Sequence, residues 1–429
     1  MKRVLFLIFL LVLILPSNIF ALEISSPNAI LIEVESGKIL YEKNAYEQAY
    51  PASTTKVLTA ILALENCELD EKVTASYNAI MSVPYDGTTA AIQVGETWNV
   101  EQLVDAMMVC SANEAANMLA EHIGGSVESF ASMMNSKAKE IGAKSTNFVN
   151  PNGLHNSNHK TTVYDMAMIA RYGMLNFPTF RKAASLTRFS LPDTDIYDKG
   201  DRNFVNTNKM IIESSSYYYK YATGIKTGYT SSSLNCIVSS AEKDGVELIA
   251  VIFGAMGAQN RNNDNIALFE YGFQQLKSQS FISAGTSIDN VTIDGAPSDA
   301  NELNVVIASN VVHTIPNDKT MTDYIPTINI DSDLKAPINS GDVVGNIEYN
   351  IEGVTYKYDL VAGNSVEKYL NSVASVAVAT VKVIGQVIFW AIMSVISIIV
   401  GIVFLRAAVL TKKQKMRRKR MTLYNARFR

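Results

Sequence analysis

The sequence has 429 residues, of which 48% are hydrophobic and 18% are charged. A chain of this length and apolar content is predicted to fold into two or three globular domains and is not typical of a disordered protein. Its formal net charge is −4, but the segment 411–429 holds nine Lys or Arg residues and no acidic residue, so residues 1–410 carry −13, which excludes a basic nucleic-acid surface on the main body.

The first 21 residues have the layout of a secretory signal peptide. Lys2 and Arg3 precede the unbroken apolar run Val4–Leu15, and the small residue Ala21 ends the segment. A charged start, a short apolar run and a small residue at the cleavage position are typical of an exported chain. We therefore predict a signal peptide at 1–21 and chemistry outside the cytoplasmic membrane.

A short stretch after a predicted hairpin carries the most reactive pattern in the chain. The strand-like segments Asn28–Glu33 and Lys38–Tyr41 are predicted to pair, and Pro51–Lys56 then leads into an apolar run of helix formers. Ser53 and Lys56 are three residues apart, which places both side chains on one face of a helix. A serine nucleophile needs a nearby base, and a lysine whose pKa is lowered by burial or by other cations supplies one. The helix N-terminus also offers free N–H groups to an oxyanion. Alone, the pattern is more often a helix cap with a solvated lysine.

Helical periodicity follows over Asn99–Ile123 and is interrupted at Cys110–Asn113. Short polar residues at such a break can present their side chains to a cleft. Ser111 is then a candidate proton relay, and Asn113 a candidate to hold the lysine or a substrate amide, with an ordinary turn between helices as the alternative. Further helices are predicted at Val127–Ile141 and Thr162–Leu175, on either side of a turn-rich loop at Asn147–Leu154.

The pattern changes to strands after Tyr221. In the first strand, Lys226, Thr227 and Gly228 offer a cation, a hydroxyl and a position where another backbone can approach. An edge strand of this kind can pair with a peptide substrate. Because strands, helices and strands follow one another, we predict an α+β fold with an antiparallel sheet. The predicted elements are the strands Tyr221–Thr230, Ser233–Ala241 and Leu248–Gly254 and the helix Asn262–Gln275.

Residues 278–362 are predicted to form a separate, small, all-β domain. Alternating apolar segments are set between Asn, Asp, Pro and Gly turns, and no nucleophile–base pair is found among them. Spacing or docking is the role we expect of this domain. Its predicted strands are Val305–Ile307, Thr327–Ile330, Val343–Tyr349 and Val354–Leu360.

The C-terminal region reads as a membrane anchor. After a linker at 363–382, the segment Val383–Leu405 has 23 residues with Gln386 as its only strongly polar side chain, which is long enough to span a bilayer as a helix. The basic tail 406–429 follows at once, so the positive-inside rule places the tail in the cytoplasm and everything before the span outside. The basic run is interpreted as a stop-transfer signal in contact with anionic lipid, not as a nucleic-acid site.

Cysteine and histidine are too few to indicate a cofactor. Cys67, Cys110 and Cys236 cannot all pair within the chain and show no C-x-x-C spacing, so a disulfide framework is excluded and core thiols are expected. With four histidines in the whole chain, no metal site and no other cofactor is predicted. His155 and His159 are expected on a surface loop and not as catalytic bases.

Three motifs in this order resemble those of the D-alanyl-D-alanine carboxypeptidases, the low-molecular-mass penicillin-binding proteins of serine peptidase family S11. They are S-x-x-K at Ser53–Lys56, S-x-N at Ser111–Asn113 and K-T-G at Lys226–Gly228. The sequences Asn150–Leu154 and Gly224–Thr230 also look like that family. The resemblance implies a β-lactamase/transpeptidase-like catalytic domain at 22–277, with an antiparallel sheet flanked by helices and a helical subdomain, followed by the β domain and the anchor.

The resemblance also implies a role for each matching residue. Ser53 would be the acylated nucleophile, Lys56 its general base and Ser111 the proton relay. Peptidoglycan stem peptides ending in D-Ala-D-Ala would be the substrates, and β-lactams would acylate the same serine. The substrate would be held by Asn113, by the K-T-G residues Lys226, Thr227 and Gly228, by Arg261 at its carboxylate, and by an oxyanion hole made of the Ser53 and Tyr229 N–H groups.

Two other functions stay open at this level. A serine β-lactamase shares the motifs, but no convincing acidic residue for deacylation is found in the matching loop, and an anchor with a β domain is more natural in a wall enzyme. A catalytically idle wall sensor would keep the scaffold, but loss of Ser53 or Lys56 would be expected there, and both are present. The organism and the oligomeric state do not follow from the sequence.

Overall fold

The computed structural model describes residues 22–369 and 372–425, so the predicted signal peptide at 1–21 lies outside the described residues. The helices are α1 Lys56–Asn66, α2 Tyr77–Met81, α3 Val100–Val109, α4 Asn113–Gly124, α5 Val127–Ile141, α6 Val163–Asn176, α7 Pro178–Ser185, α8 Ala258–Phe273 and α9 Ser372–Asn425. The strands are β1 Asn28–Glu33, β2 Ile39–Lys43, β3 Lys72–Thr74, β4 Thr97–Asn99, β5 Arg188–Leu191, β6 Arg202–Val205, β7 Ala222–Thr230, β8 Leu234–Lys243, β9 Val246–Ala255, β10 Leu276–Ile282, β11 Ser287–Thr292, β12 Glu302–Ile307, β13 Val311–Pro316, β14 Thr327–Ile330, β15 Val343–Ile351 and β16 Val354–Ala362.

A five-stranded antiparallel sheet in the order β2-β1-β9-β8-β7 forms the centre of the first part of the chain. In β1, Ile30 and Ile32 belong to one apolar cluster and Ala29 and Leu31 to another. Because alternate residues of a strand face opposite sides, both faces of this sheet are buried. Helix α6 contributes to the first cluster and α8 to the second, so helices cover both faces, as the α+β prediction requires.

A helical subdomain packs around α1, which is buried from Lys56 to Ala63. A helix that is apolar on all sides needs neighbours on all sides, and α3, α4, α5 and α6 supply them. Caps set the bounds of these helices. The side chain of Asn99 caps α3 by accepting from the Gln102 N–H, and α4 ends at the left-handed Gly125.

The sequence patterns did not predict several short elements. These are the helices α2 and α7, the β3–β4 and β5–β6 pairs and the strands β10, β11 and β13, none of which is longer than eight residues. A buried ion pair anchors the β5–β6 hairpin: Arg202 Nη1 and Nη2 each donate to a Glu96 carboxylate oxygen at 2.9 Å. Both side chains are almost fully buried, and the Arg202 guanidinium also lies over the Tyr197 ring. This contact joins residues 106 positions apart, so local periodicity carries no sign of it.

The later part of the chain is all-β before the last helix. Strands β10 and β13 pair with each other, and a second antiparallel sheet has the order β11-β12-β16-β15-β14. By internal contacts the described residues form two compact units. The first runs up to Ser283 and includes Ser309–Ile328 and Ile347–Tyr358, and the second contains Ala284–Ala308, Asn329–Asn346 and the described residues from Asp359 onward. The catalytic-domain boundary at 277/278 stays a prediction.

Helix α9 contains the predicted span. Within the described part of the chain, one helix is long and apolar enough to cross a membrane, over Val376–Arg418, and its side chains are exposed. Exposed Val, Ile and Phe side chains along such a length are costly in water and favourable in lipid, so the segment is consistent with a membrane-spanning helix.

Candidate active site

Ser53 lies on a tight turn that leads directly into α1. A 3₁₀ turn covers Ala52–Thr55, α1 begins at Lys56, and Ala52 has a left-handed φ of 48°. The hydroxyls of Thr54 and Thr55 donate to the carbonyls of Pro51 and Ala52 at 2.8 Å, which holds the turn from within. Ser53 itself is half-buried, with its hydroxyl at the start of the helix.

Two glycines allow other segments to press against this turn. A Cβ at Gly153, where φ is +82°, would lie 1.9 Å from the Ala52 carbonyl oxygen. A Cβ at Gly228 would lie 2.9 Å from the Pro51 oxygen and 3.0 Å from the Ser53 nitrogen. Contacts that short do not occur, so only glycine permits these approaches. The loop of Gly153 and strand β7 therefore fix the position of Ser53 through their backbones.

Lys56 is fully buried, and its ammonium nitrogen reaches three oxygen atoms. Nζ lies 3.1 Å from Ser53 Oγ, 2.7 Å from Asn113 Oδ1 and 2.6 Å from the Asn152 carbonyl oxygen. Burial lowers the pKa of Lys56 well below its ordinary range, and the nearby Lys226 charge lowers it further, against a smaller opposing effect of Glu114 and Cys110. The site thus favours the neutral amine.

The geometry around Lys56 suits that neutral form. A neutral amine has two N–H donors and one lone pair, and Asn113 Oδ1 and the Asn152 carbonyl are both acceptors that cannot donate to it. These two oxygens take the two N–H groups. The lone pair is left for the third neighbour, the Ser53 hydroxyl, which can donate its proton along the 3.1 Å contact. The arrangement can therefore remove a proton from Ser53.

The break between α3 and α4 places Ser111 and Asn113 beside this pair. Ser111 is buried with a left-handed φ of 66°, and Asn113 is the first residue of α4. The Asn113 backbone N–H donates to the Thr88 carbonyl at 3.0 Å, which ties the residue to a crossing loop. Among the described residues Ser111 Oγ makes no hydrogen bond, so its hydroxyl is free to meet a bound molecule.

Strand β7 brings a second buried lysine to the site. Lys226 is fully buried, and its Nζ contacts the Thr227 carbonyl at 3.2 Å and Thr207 Oγ1 at 3.5 Å. Burial, with a contribution from the Arg261 charge, lowers the pKa of Lys226 to about 7. Arg261 is nine-tenths buried, and burial lowers its pKa too. Among the residues that the structure describes, no carboxylate pairs with Lys226 or Arg261, so an anionic group is favoured beside these two cations.

Strand β7 is also an edge of the central sheet, because it pairs with β8 and has no further neighbour in the described sheet order. Tyr229 follows Gly228 on this strand, and 64% of its side chain is exposed. A free strand edge next to the Ser53 turn can accept an extended peptide. The nine catalytic and substrate-binding residues predicted from the sequence thus lie on four parts of the fold: the Ser53 turn with the start of α1, the α3–α4 break, strand β7 and the first turns of α8.

Three contributors were not predicted from the sequence. The Asn152 carbonyl accepts from Lys56, Thr207 Oγ1 accepts from Thr227 Oγ1 at 2.9 Å, and the buried Glu114 carboxylate accepts from the Ala90 N–H at 2.6 Å. Desolvation raises the Glu114 pKa. The adjacency of Glu114 to the S-x-N motif was a usable signal, whereas a backbone carbonyl and a threonine in a loop carry none.

The prediction for His159 was wrong. His155 is exposed as expected, but His159 is 2% exposed, with its Nδ1 accepting from the Val149 N–H at 3.0 Å and its Nε2 2.8 Å from Thr55 Oγ1. Because Nδ1 accepts, Nε2 carries the proton and donates to the threonine. Burial lowers the His159 pKa to about 3, so the ring is a neutral support under the Ser53 turn.

Comparisons with known proteins agree with this geometry. Residues 16–257 match the family model described as D-alanyl-D-alanine carboxypeptidase, and residues 276–368 match that of the penicillin-binding protein 5 C-terminal domain. The chain is 31% identical over 334 residues to the D-alanyl-D-alanine carboxypeptidase DacF of Bacillus subtilis, covering 76% of this chain and 82% of that one.

Solved structures give the same picture. The crystal structure of penicillin-binding protein 5 from Haemophilus influenzae is similar with a TM-score of 0.59 and 26% identity, over 81% of this chain and 98% of that one. The D-alanyl-D-alanine carboxypeptidase DacD from Francisella tularensis is similar with a TM-score of 0.54 and 27% identity, over 83% and 96%. The two family models match successive parts of the chain, the first over residues 16–257 and the second over the β region at 276–368.

Proposed function

This chain belongs to the D-alanyl-D-alanine carboxypeptidase family, and from that premise we propose that it releases the terminal D-alanine of peptidoglycan stem peptides through an acyl-enzyme on Ser53. The observation that supports the proposal most directly is the fully buried Lys56, whose Nζ lies 3.1 Å from the Ser53 hydroxyl oxygen and whose pKa is lowered by burial. A serine becomes an effective nucleophile when a positioned base takes its proton.

The proposed reaction uses the groups of the site in sequence. Lys56 removes the Ser53 proton while Oγ attacks the carbonyl carbon between the two D-alanines. The N–H groups of Ser53 and Tyr229 stabilise the oxyanion, which in well-studied enzymes contributes roughly 3 kcal/mol per donor. The proton that Lys56 removed passes through Ser111 to the leaving amine, so Lys56 is neutral again when D-alanine departs. Water then attacks the ester carbonyl, its oxygen stays with the released acid, and one of its protons returns to Ser53 Oγ.

The buried cations are proposed to select the substrate end. A terminal carboxylate would be held by Lys226 and Thr227, with Arg261 reinforcing the positive potential. Asn113 and the edge of β7 at Gly228 would align the peptide. A β-lactam also carries a carboxylate next to a reactive carbonyl, so the same contacts support acylation of Ser53 by β-lactams.

The experiment compares the full chain, solubilised in detergent, with a Ser53→Ala variant and with Ser132→Ala, an exposed serine of α5. Each protein is incubated with a fluorescent penicillin and with diacyl-L-Lys-D-Ala-D-Ala. We expect stable labelling and D-alanine release in the wild type and in Ser132→Ala, and neither in Ser53→Ala. Labelling that clears quickly without D-alanine release would instead indicate a β-lactamase, and no labelling would contradict the acyl-enzyme.

The topology is part of the same proposal. We infer that residues 1–21 direct export, that the domain of residues 22–277 and the β domain of 278–362 lie outside, and that α9 crosses the cytoplasmic membrane and leaves the basic tail inside. The apolar surface of α9 supports the span. A membrane-impermeant fluorescent penicillin should label intact cells as fully as lysed cells. Labelling only after lysis would reverse the orientation.

A further inference from the structure

Three metal-ligating side chains meet far from the active site, at the opposite ends of two helices that carry catalytic groups. Cys67 directly follows α1, His122 lies in the last turn of α4, and Glu71 precedes β3. One donor atom of each residue lies within 4.8 Å of the others, and His122 Nε2 is 2.7 Å from a Glu71 carboxylate oxygen. Helix α1 begins at Lys56 and α4 at Asn113, so the cluster lies about 16 Å along α1 from the active site.

The backbone fixes each of the three donors independently. The Cys67 N–H donates to the Ala63 carbonyl at 3.1 Å, which holds the thiol at the end of α1. The Glu71 carbonyl accepts from the Val100 N–H at 3.0 Å, which joins this residue to the start of α3. His122 is held by the helical hydrogen bonds of α4. Donors on three fixed elements are preorganised, and small side-chain movements are enough to bring them to one ion.

The donor set indicates which ion. We propose that Cys67, Glu71 and His122 bind one Zn²⁺, with water in the fourth position. Thiolate and imidazole are ligands that Zn²⁺ accepts readily, whereas Ca²⁺ and Mg²⁺ prefer oxygen ligands alone. Ligand bonds of about 2.0–2.3 Å place donor atoms on one tetrahedral ion about 3.3–3.8 Å apart. The 2.7 Å contact between His122 and Glu71 must therefore widen, and the donor atoms that lie up to 4.8 Å apart must close by about 1 Å.

The site has an entry path and a place for the fourth ligand. An open cavity of about 430 Å³ is lined by Cys67 and Glu71, and Glu71 and His122 are exposed to solvent. Binding opens the Glu71–His122 hydrogen bond and replaces the thiol proton by the metal, so one proton leaves Cys67 for solvent as the Zn–S bond forms.

The ion has a structural role in this assignment. It joins the end of α1, the start of β3 and the end of α4, and these two helices present Lys56 and Asn113 at their other ends. Zinc therefore stabilises the helical subdomain without touching the substrate. Three residues lie between Cys67 and Glu71 in the sequence, and 50 lie between Glu71 and His122. These spacings match no metal-binding motif, and the sequence analysis predicted no metal site.

The test uses the untagged full chain in detergent, stripped of metal with a chelator. Titration with Co²⁺, a spectroscopic substitute for Zn²⁺, should give one thiolate-to-cobalt charge-transfer band that saturates at one ion per chain and is displaced by Zn²⁺. Zn²⁺ at a hundredfold excess over its Kd should raise Tm by about 5 °C. Cys67→Ser and His122→Gln should lose the band and the Tm shift, whereas Glu68→Gln, a residue that lines the same cavity, should keep both.

Labelling with fluorescent penicillin serves as the control that each variant is folded. If Cys67→Ser or His122→Gln is unstable, Glu71→Gln provides a second test, because it should bind the metal more weakly than the wild type. Absence of the band in the wild type would overturn the proposal. So would an unchanged band in Cys67→Ser or His122→Gln, or an equal rise in Tm with Mg²⁺.

Discussion

The substitution Lys226→Met is predicted to make the protein more stable while it destroys substrate binding. Lys226 is fully buried, its nitrogen meets two neutral oxygens, and no carboxylate pairs with it among the described residues. A buried ammonium without a counter-ion destabilises the folded state. Methionine has a similar length and no charge, so it fills the same space without that cost.

The size of the effect follows from the pKa of Lys226. Lowering it from 10.5 in the unfolded chain to about 7 in the folded protein corresponds to about 4 kcal/mol at pH 7. The variant also loses the hydrogen bond to the Thr227 carbonyl, which costs about 1 kcal/mol of stability. The free energy of unfolding of Lys226→Met should therefore exceed that of the wild type by about 3 kcal/mol. That gain raises Tm by about 6 °C or more. Because the folded-state pKa is the lower one, the gain is largest below pH 7 and disappears as pH rises toward 10.5.

Thermal unfolding of the full chain at pH 6, 7, 9 and 10.5 measures this difference. Lys144→Met, in which an exposed lysine is replaced, is the matched control and should change Tm little at any pH. Titrating groups that do not interact with Lys226 behave alike in all three proteins and cancel in the comparison. A variant less stable than the wild type at pH 7, or a gain that does not shrink at high pH, would refute the reasoning.

Three further predictions concern the turn, the ion pair and the general base. Gly153→Ala should lower the free energy of unfolding by about 3 kcal/mol or more and abolish penicillin labelling, because the new Cβ would collide with the Ala52 carbonyl. The control Gly142→Ala has a similar φ but open space around it, and it should lower the free energy of unfolding by only about 1 kcal/mol. Equal losses for the two variants in denaturant titrations would contradict this prediction. Arg202→Leu should cost about 3–5 kcal/mol by leaving Glu96 buried and unpaired. In the wild type, burial raises the pKa of Glu96, but hydrogen bonds from Arg202, Thr194 and the Gln93 N–H together hold it below its ordinary value. The loss measured in urea should therefore be largest where Glu96 is ionised in the variant and should shrink as pH falls and the carboxylate is protonated. Penicillin acylation should slow as pH falls, because only neutral Lys56 accepts the Ser53 proton. An acylation rate that does not fall at any acidic pH at which the protein stays folded would contradict Lys56 as the base.

The sequence predicted the elements whose pattern is long and strong. Helices α3, α5 and α6 and strands β1, β7, β8 and β9 lie within a few residues of their predicted positions. The pairs β3–β4 and β5–β6 were missed because their strands have three or four residues, too few for alternation to appear. Their stability comes from distant partners such as the Arg202–Glu96 pair, which no local window contains.

The site was predictable where the chemistry depends on sequence spacing. Ser53 and Lys56 meet because three residues make nearly one helical turn, and the two other motifs were found through the family they resemble. The Asn152 carbonyl was out of reach, since every residue has one and only the fold decides which points at Lys56. His159 was misjudged because a polar loop was taken to be exposed, whereas the ring packs under the nucleophile turn.

The backbone contacts of Gly153 and Gly228 limit how this enzyme can change under selection by antibiotics. A mutation that slows acylation by shifting Ser53 must disturb one of these approaches, and any side chain there collides with the turn itself. Under the proposed mechanism, such a mutation removes D-alanine release together with acylation by β-lactams. Tolerant variants must therefore arise at the rim, at the exposed Tyr229 or in the loop of Gly87 and Thr88 that contacts Asn113, where the shape of the cleft can change while the nucleophile stays in place.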